Sequence, residues 1–245
     1  MKVRQIQIVS VFKIDNSIIL SIGPSLKQLK NKLGGQIVPI NNPDNSPPPL
    51  PRIVLQLKDT LLQIGLDRFD ISLKPPLHIS EDLSESFKFA KQRAGSIISE
   101  FISHVSYKWS GIITTFSFPE QPLVSKSGIE TVRPIFDRII NINRNNRELV
   151  SFQLQFGFKD DDFNINYNIS GFEERNISIS PPIHGFLEVE LNKFPVNNCG
   201  IQVILDINNK LGDNINPLED IDRLFDKQSN LFSSISTDLN LKGIL

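Results

Sequence analysis

Apolar and polar residues alternate along much of this chain, and the period of the alternation changes where the elements should change. Ile53, Leu55 and Leu57 alternate with Val54, Gln56 and Lys58; Leu62, Ile64 and Leu66 follow, and then Phe69, Ile71 and Leu73 alternate with Asp70, Ser72 and Lys74. A period of two predicts strands with one buried face. The alternation restarts across Gly65 to Arg68, so a hairpin turn is expected there, with Gly65 or Asp67 able to take the backbone angle a tight turn needs. Pro75-Pro76 ends the sheet segment, because neither residue can donate to a ladder. Ser80 then reads as an N-cap, with Glu81 and Asp82 where a helix dipole favours negative charge. Leu83, Phe87, Ala90, Ala94, Ile97, Ile98, Phe101, Ile102 and Val105 recur at helical spacing. They predict one helix laid across the preceding hairpin, with Gly95 marking close approach of helix to sheet.

The rest of the chain follows the same grammar. Arg4 to Ile14 reads as a strand, and Ser17 to Ile22 as its continuation or a second short strand. Leu26, Leu29 and Leu33 have the spacing of a short helix closed by Gly34-Gly35. Gln36 to Ile40 is extended, and Asn41 to Pro51, with five prolines, is a stiff connector of polyproline character that could also serve a proline-reading domain. Tyr107 to Phe118 is a strand, and Ile129 to Ile140 a helix bent or restarted at Pro134. Val150 to Phe158 and Phe163 to Ile169 form a hairpin turned by Asp160-Asp161-Asp162. Strands are also expected at Arg175 to Ser180, Gly185 to Asn192 and Gly200 to Asn208. Asn216 caps a last helix, with Pro217 at its first position.

These elements predict an α+β fold: antiparallel sheets with long amphipathic helices packed on one face. Residues 1–143 form an N-terminal sheet plus helix and residues 148–245 a C-terminal sheet plus helix, two loosely similar halves around the polar joint Asn141 to Arg147. The 245 residues suffice for a substantial core.

Charge and cysteine content narrow the chemistry. Twenty-six Lys and Arg against 27 Asp and Glu leave a net charge of −1, which gives no global electrostatic footprint for nucleic acid or membrane. One cysteine, Cys199, excludes an intramolecular disulfide, and a small buried filler is its ordinary role. No run approaches the roughly 20 apolar residues of a membrane span, so a cytoplasmic protein with no membrane partner is expected.

Motifs for phosphate cradling, dinucleotide binding, a serine nucleophile elbow and helix-borne zinc are absent. His78, His104 and His184 lack metal-ligand spacing, and Asp160-Asp161-Asp162 suits a hairpin turn as well as a hard cation. No catalytic residue, metal or cofactor is therefore assigned. Two sets of side chains remain as binding candidates. Gln153, Gln155, Asn164, Asn166 and Asn168 line the polar faces of one hairpin with uncharged amides, an arrangement suited to another protein or to self-association. Arg52, Arg68, Lys74 and Lys91 are the basic alternative, a groove for RNA or DNA.

Leu62-Gln63-Ile64-Gly65-Leu66-Asp67-Arg68-Phe69-Asp70-Ile71-Ser72, followed by Pro75-Pro76, a helix and Trp109-Ser110-Gly111-Ile112-Ile113, resembles a sporadically distributed, uncharacterised bacterial family of about this length. Thr114-Thr115-Phe116 departs from that family's pattern. The resemblance covers roughly the first 140 residues and transfers no catalytic residue. It implies a setting among mobile or defence-associated genes, where small folded proteins act as partners of a larger effector. The leading expectation is a non-enzymatic interaction subunit, accessory or inhibitory. A nucleic-acid-binding module and an enzyme with a dispersed site are the alternatives.

Overall fold

Among the described residues the alternating positions become nine antiparallel strands: β1 (Lys2–Phe12), β2 (Gln36–Pro39), β3 (Ile53–Gln56), β4 (Thr60–Ile64), β5 (Arg68–Leu73), β6 (Tyr107–Pro119), β7 (Gln153–Asp160), β8 (Phe163–Arg175) and β9 (Val196–Asn208). The helices are α1 (Ile18–Ser21), α2 (Gly23–Leu33), α3 (Leu83–Ile98), α4 (Gly128–Ile139) and α5 (Pro217–Asp238). The computed structural model describes residues 1–43, 46–119, 127–139, 151–175, 194–210, 212 and 216–238. The strands form one sheet in the order β2-β3-β4-β5-β1-β6-β9-β8-β7. α+β architecture with an antiparallel sheet is thus what the chain adopts.

Register explains why the sheet holds together. Ile37, Leu55, Leu62, Ile71, Ile8, Ile112, Ile207, Ile165 and Phe158 are successive cross-strand partners and form one apolar row across all nine strands. The seven residues between the two ends of the row are buried, each stabilising the fold by about 1.5–3 kcal/mol. Helices cover this inner face. α3 buries Phe87, Ala90, Ala94, Ile97 and Ile98, and α5 buries Ile221, Leu224 and Phe225. The Phe87 and Phe225 rings meet edge-on at 5.4 Å, tying α3 to α5. Phe12, Phe69 and Phe101 continue the core, with ring centroids 4.8 and 5.1 Å apart.

Polar bonds fix α5 on the sheet. Asn216 Oδ1 accepts from the Leu218 and Glu219 amides. Asp220, fully buried one turn on, accepts a 2.6 Å bond from the Tyr107 hydroxyl. Two turns further, Gln228 joins Thr114 Oγ1 at 2.8 Å and donates to the Leu205 carbonyl. Burial, then the bond to Asp220, pushes the Tyr107 phenol far above its ordinary range, so it stays a donor.

Several local expectations need correction. Ser17 to Ile22 is helical, not extended: Ile18, Ile22, Leu26 and Leu29 are buried at helical spacing across α1 and α2. An apolar run this short fits either period. The cap of α3 is Asp82, whose Oδ1 accepts from the Glu85 amide, while Ser80 Oγ bonds the Leu77 carbonyl. α3 also stops at Ile98, and Ile102–His104 is a separate 3-10 turn after Phe101. Gly95 is not a close approach, since a Cβ there would touch nothing within 4 Å. Within the proline loop, Leu50 N–H closes a local turn on the Pro47 carbonyl and Leu66 N–H bonds that of Pro48. α4 runs through Pro134 and begins with a reciprocal cap between Ser127 and Glu130. The expected joint at Asn141 to Arg147, His184, the strand at Gly185 to Asn192 and residues 176–180 lie outside the described residues.

Candidate functional site

Side chains one position out of phase with the apolar row point to the opposite, outer face of the sheet, where the described residues place no helix. Its β7–β8–β9 end is lined with amides. Gln155 stands opposite Asn168, Gly157 opposite Asn166 and Lys159 opposite Asn164. Across the next ladder Asn164 faces Asn208, Asn166 faces Asp206 and Asn168 faces Ile204. All five amide residues predicted for a partner surface are therefore on one face, joined by Asn208 and Asp206.

The patch is ordered by its own bonds. Asn164 Nδ2 donates to Asn208 Oδ1 at 3.1 Å. A Cβ at Gly157 would come within 2.6 Å of Asn166 Oδ1, the movable end of a side chain that lies over β7. Burial raises the Asp206 carboxyl above its usual range, and bonds from Asn166 and Asn208 pull it partly back. Asp206 has no cationic partner among the described residues.

β7 is the last strand of the sheet, with no strand on its far side among the described residues. Gln153, Gln155 and Gly157 are exposed along it. Its inner face carries Phe156 and Phe158, which form a ring cluster with Tyr167, and Phe158 remains 57% exposed. Charge is confined to Lys159 and Asp160 at the turn, where Asp161 takes a φ of 52°. Asp160 pairs with Lys227 at 2.6 Å and Asp162 with Arg223 at 3.4 Å, so the aspartates diverge toward α5. Among the described residues no three His, Cys, Asp or Glu side chains converge for a metal.

The four basic candidates do not share one groove: Arg52 and Arg68 stand on either side of Gly65 at one end of the sheet, and Lys74 and Lys91 lie elsewhere. Arg52 immediately precedes β3 and donates to the Ser46 carbonyl. Arg68 begins β5 and grips Asp70, with Nε at 2.7 Å from Oδ2. Lys74 follows the opposite end of β5, a full strand length from Arg68. Lys91 is on α3 and pairs with Asp222 of α5 at 3.0 Å. Lys74 instead joins Lys2, Arg4, Lys58 and His78 around a cleft of about 610 Å³. Sequence reasoning missed that group and also Asp206 and Asn208. The last two were signalled by the phase of β9 that carries Gln202, Asp206 and Asn208, broken only by Ile204, which repeats the polar phase of β8. Cys199 is buried beside Gly200, and His104 Nε2 lies 3.4 Å from Ser25 Oγ.

No family model and no curated protein matches this chain.

Proposed function

We propose that this protein is a non-enzymatic interaction subunit that receives an extended segment of another protein along β7, with the amides of β7 and β8 bonding the incoming chain. One observation carries the proposal: β7 ends the sheet among the described residues with Gln153, Gln155 and Gly157 exposed and uncharged beside Asn166 and Asn168. Open edges are ordinarily blunted by lysine, proline or a bulge. Between Gln153 and Phe158, β7 has none of these. An added strand bonds main chain to main chain, and neutral amides desolvate at far less cost than ions. Phe158 supplies apolar contact at the same edge. The family resemblance of the first 140 residues motivates the wider setting, a cytoplasmic accessory or inhibitory partner of a larger bacterial effector.

Affinity recovery from the native host, with nuclease present, tests the reading when wild type is compared with a Gln153→Lys/Gln155→Lys double variant. Both sites are exposed, so the melting temperature should hold. The expected result is a stoichiometric protein partner that the lysines abolish. Recovery that disappears with nuclease, or that both lysines leave untouched, overturns it.

A further inference from the structure

A second site lies at the other half of the sheet and draws on nothing in the β7 proposal. The register of β1 and β6 shifts between Val3 and Gln5, so Arg4 has no counterpart on β6. Such a bulge re-aims a side chain, and Arg4 turns across the outer face to Ser117 Oγ at 2.6 Å and Glu174 at 2.7 Å. Val3 N–H bonds the Ser80 carbonyl at 2.7 Å, drawing the start of β1 against the segment that follows β5. Lys74 N–H bonds the Asp59 carbonyl at 2.9 Å, which sets Lys74 beside the β3–β4 turn that carries Lys58. These three connections border an open cleft of about 610 Å³, within the size range of small-molecule sites. A smaller hollow of about 400 Å³ adjoins it and shares Lys58, Asp59 and Lys74.

The charges of the cleft are not balanced. Lys2 pairs with Glu81 at 3.1 Å, and Arg4 is neutralised by Glu174. Asp59, the only acidic residue lining the cleft, is held by Arg93 at 2.8 Å and by the Thr60 hydroxyl. Lys58 and Lys74 flank that carboxylate, both exposed, and neither has a partner of its own among the described residues. Two unpaired ammonium groups lining one concavity leave it with positive charge that an anion would offset. Among the described residues no Phe, Tyr or Trp lines the cleft, so it offers no platform for stacked bases.

We propose that the cleft binds a single phosphate group, as the free anion or as a small phosphate monoester, clamped by Lys58 and Lys74. Lysine is a point-charge phosphate binder, and His78 on the rim adds a ring nitrogen to the donor set.

Titration calorimetry on the full chain with inorganic phosphate, phosphoserine and oligothymidylate separates the outcomes, using wild type, Lys58→Gln, Lys74→Gln and the control Lys91→Gln. Phosphate should bind wild type and Lys91→Gln equally. Each cleft variant should weaken binding about tenfold, the effect of one charge-assisted contact. Phosphoserine tighter than phosphate identifies a monoester as the ligand, and equal affinity identifies the free anion. Absence of phosphate binding, affinity unchanged in both cleft variants, or oligothymidylate binding far tighter with a steep salt dependence each overturns the proposal. The β7 lysines should leave every one of these titrations unchanged, so the two proposals fail separately.

Discussion

Asp206 shows how one side chain takes its character from residues distant in sequence. It stands between Ile113 of β6 and Asn166 of β8, bonded by amides but faced by no described cation. Its carboxyl is raised in the folded state, so the protonated form folds more favourably than the ionised one. That contribution is fully present below the ordinary aspartate range, near about 3.9, and is lost as pH rises through the raised folded value. Asp206→Asn should therefore unfold at higher urea than wild type at pH 7, with the two curves merging near pH 3. Equal midpoints at pH 7 would show that Asp206 carries no burial penalty. Asp59 has the opposite sign. Against desolvation, the Arg93 and Thr60 bonds hold it below the usual range, so its contribution is present at neutral pH and is lost on acidification.

At the scale of elements, α3 divides into what its own residues dictate and what its surroundings dictate. Its buried stripe was legible because Phe87, Ala90, Ala94 and Ile97 repeat at 3.6-residue spacing. Its end was not, because Phe101 continues the stripe in sequence while leaving the helix to reach Phe69. Gly95 contradicts the expectation placed on it, and the space around it yields a test. Ala at 95 meets no atom within 4 Å and removes the backbone entropy cost of a helical glycine. Gly95→Ala should stabilise the chain by about 1 kcal/mol in chemical denaturation. A loss of stability would mean that the helix face at 95 is occupied.

At the scale of the molecule, the β6–β9 ladder joins strands from the first 119 residues to strands from the last hundred, in continuous register from Gly111 with Asn208 to Pro119 with Gly200. Trp109, the only tryptophan, is on β6 beside this seam. Its fluorescence and the far-UV circular dichroism should report one coincident unfolding transition, as expected when a continuous core unfolds as a unit. Gly200 lies where an added Cβ would collide with the Phe118 carbonyl across the seam. Gly200→Ala should lower stability by about 2 kcal/mol or more and move both probes together. Separated midpoints would mean that the two sides of the seam unfold independently.

The sequence by itself determined the elements whose signal is local. The alternation of Ile53 to Leu73 and of Phe163 to Ile169, the Asn216 cap and the apolar stripe of α3 are written within a few residues, because side-chain period and capping are properties of neighbours along the chain. It also placed the amides of Gln155 and Asn166 on one polar phase. The tertiary structure alone decided the order of strands, which puts β1 between β5 and β6 and, among the described residues, leaves β7 at the edge. It alone set Asp206 beside Asn166, separated Arg68 from Lys74, and brought Lys58, Lys74 and the bulged Arg4 to one cleft. Period two says which face a side chain takes and nothing about which strand lies next to it. That choice comes from long-range pairing, where a one-residue slip would turn a strand's apolar side chains out of the row from Ile37 to Phe158.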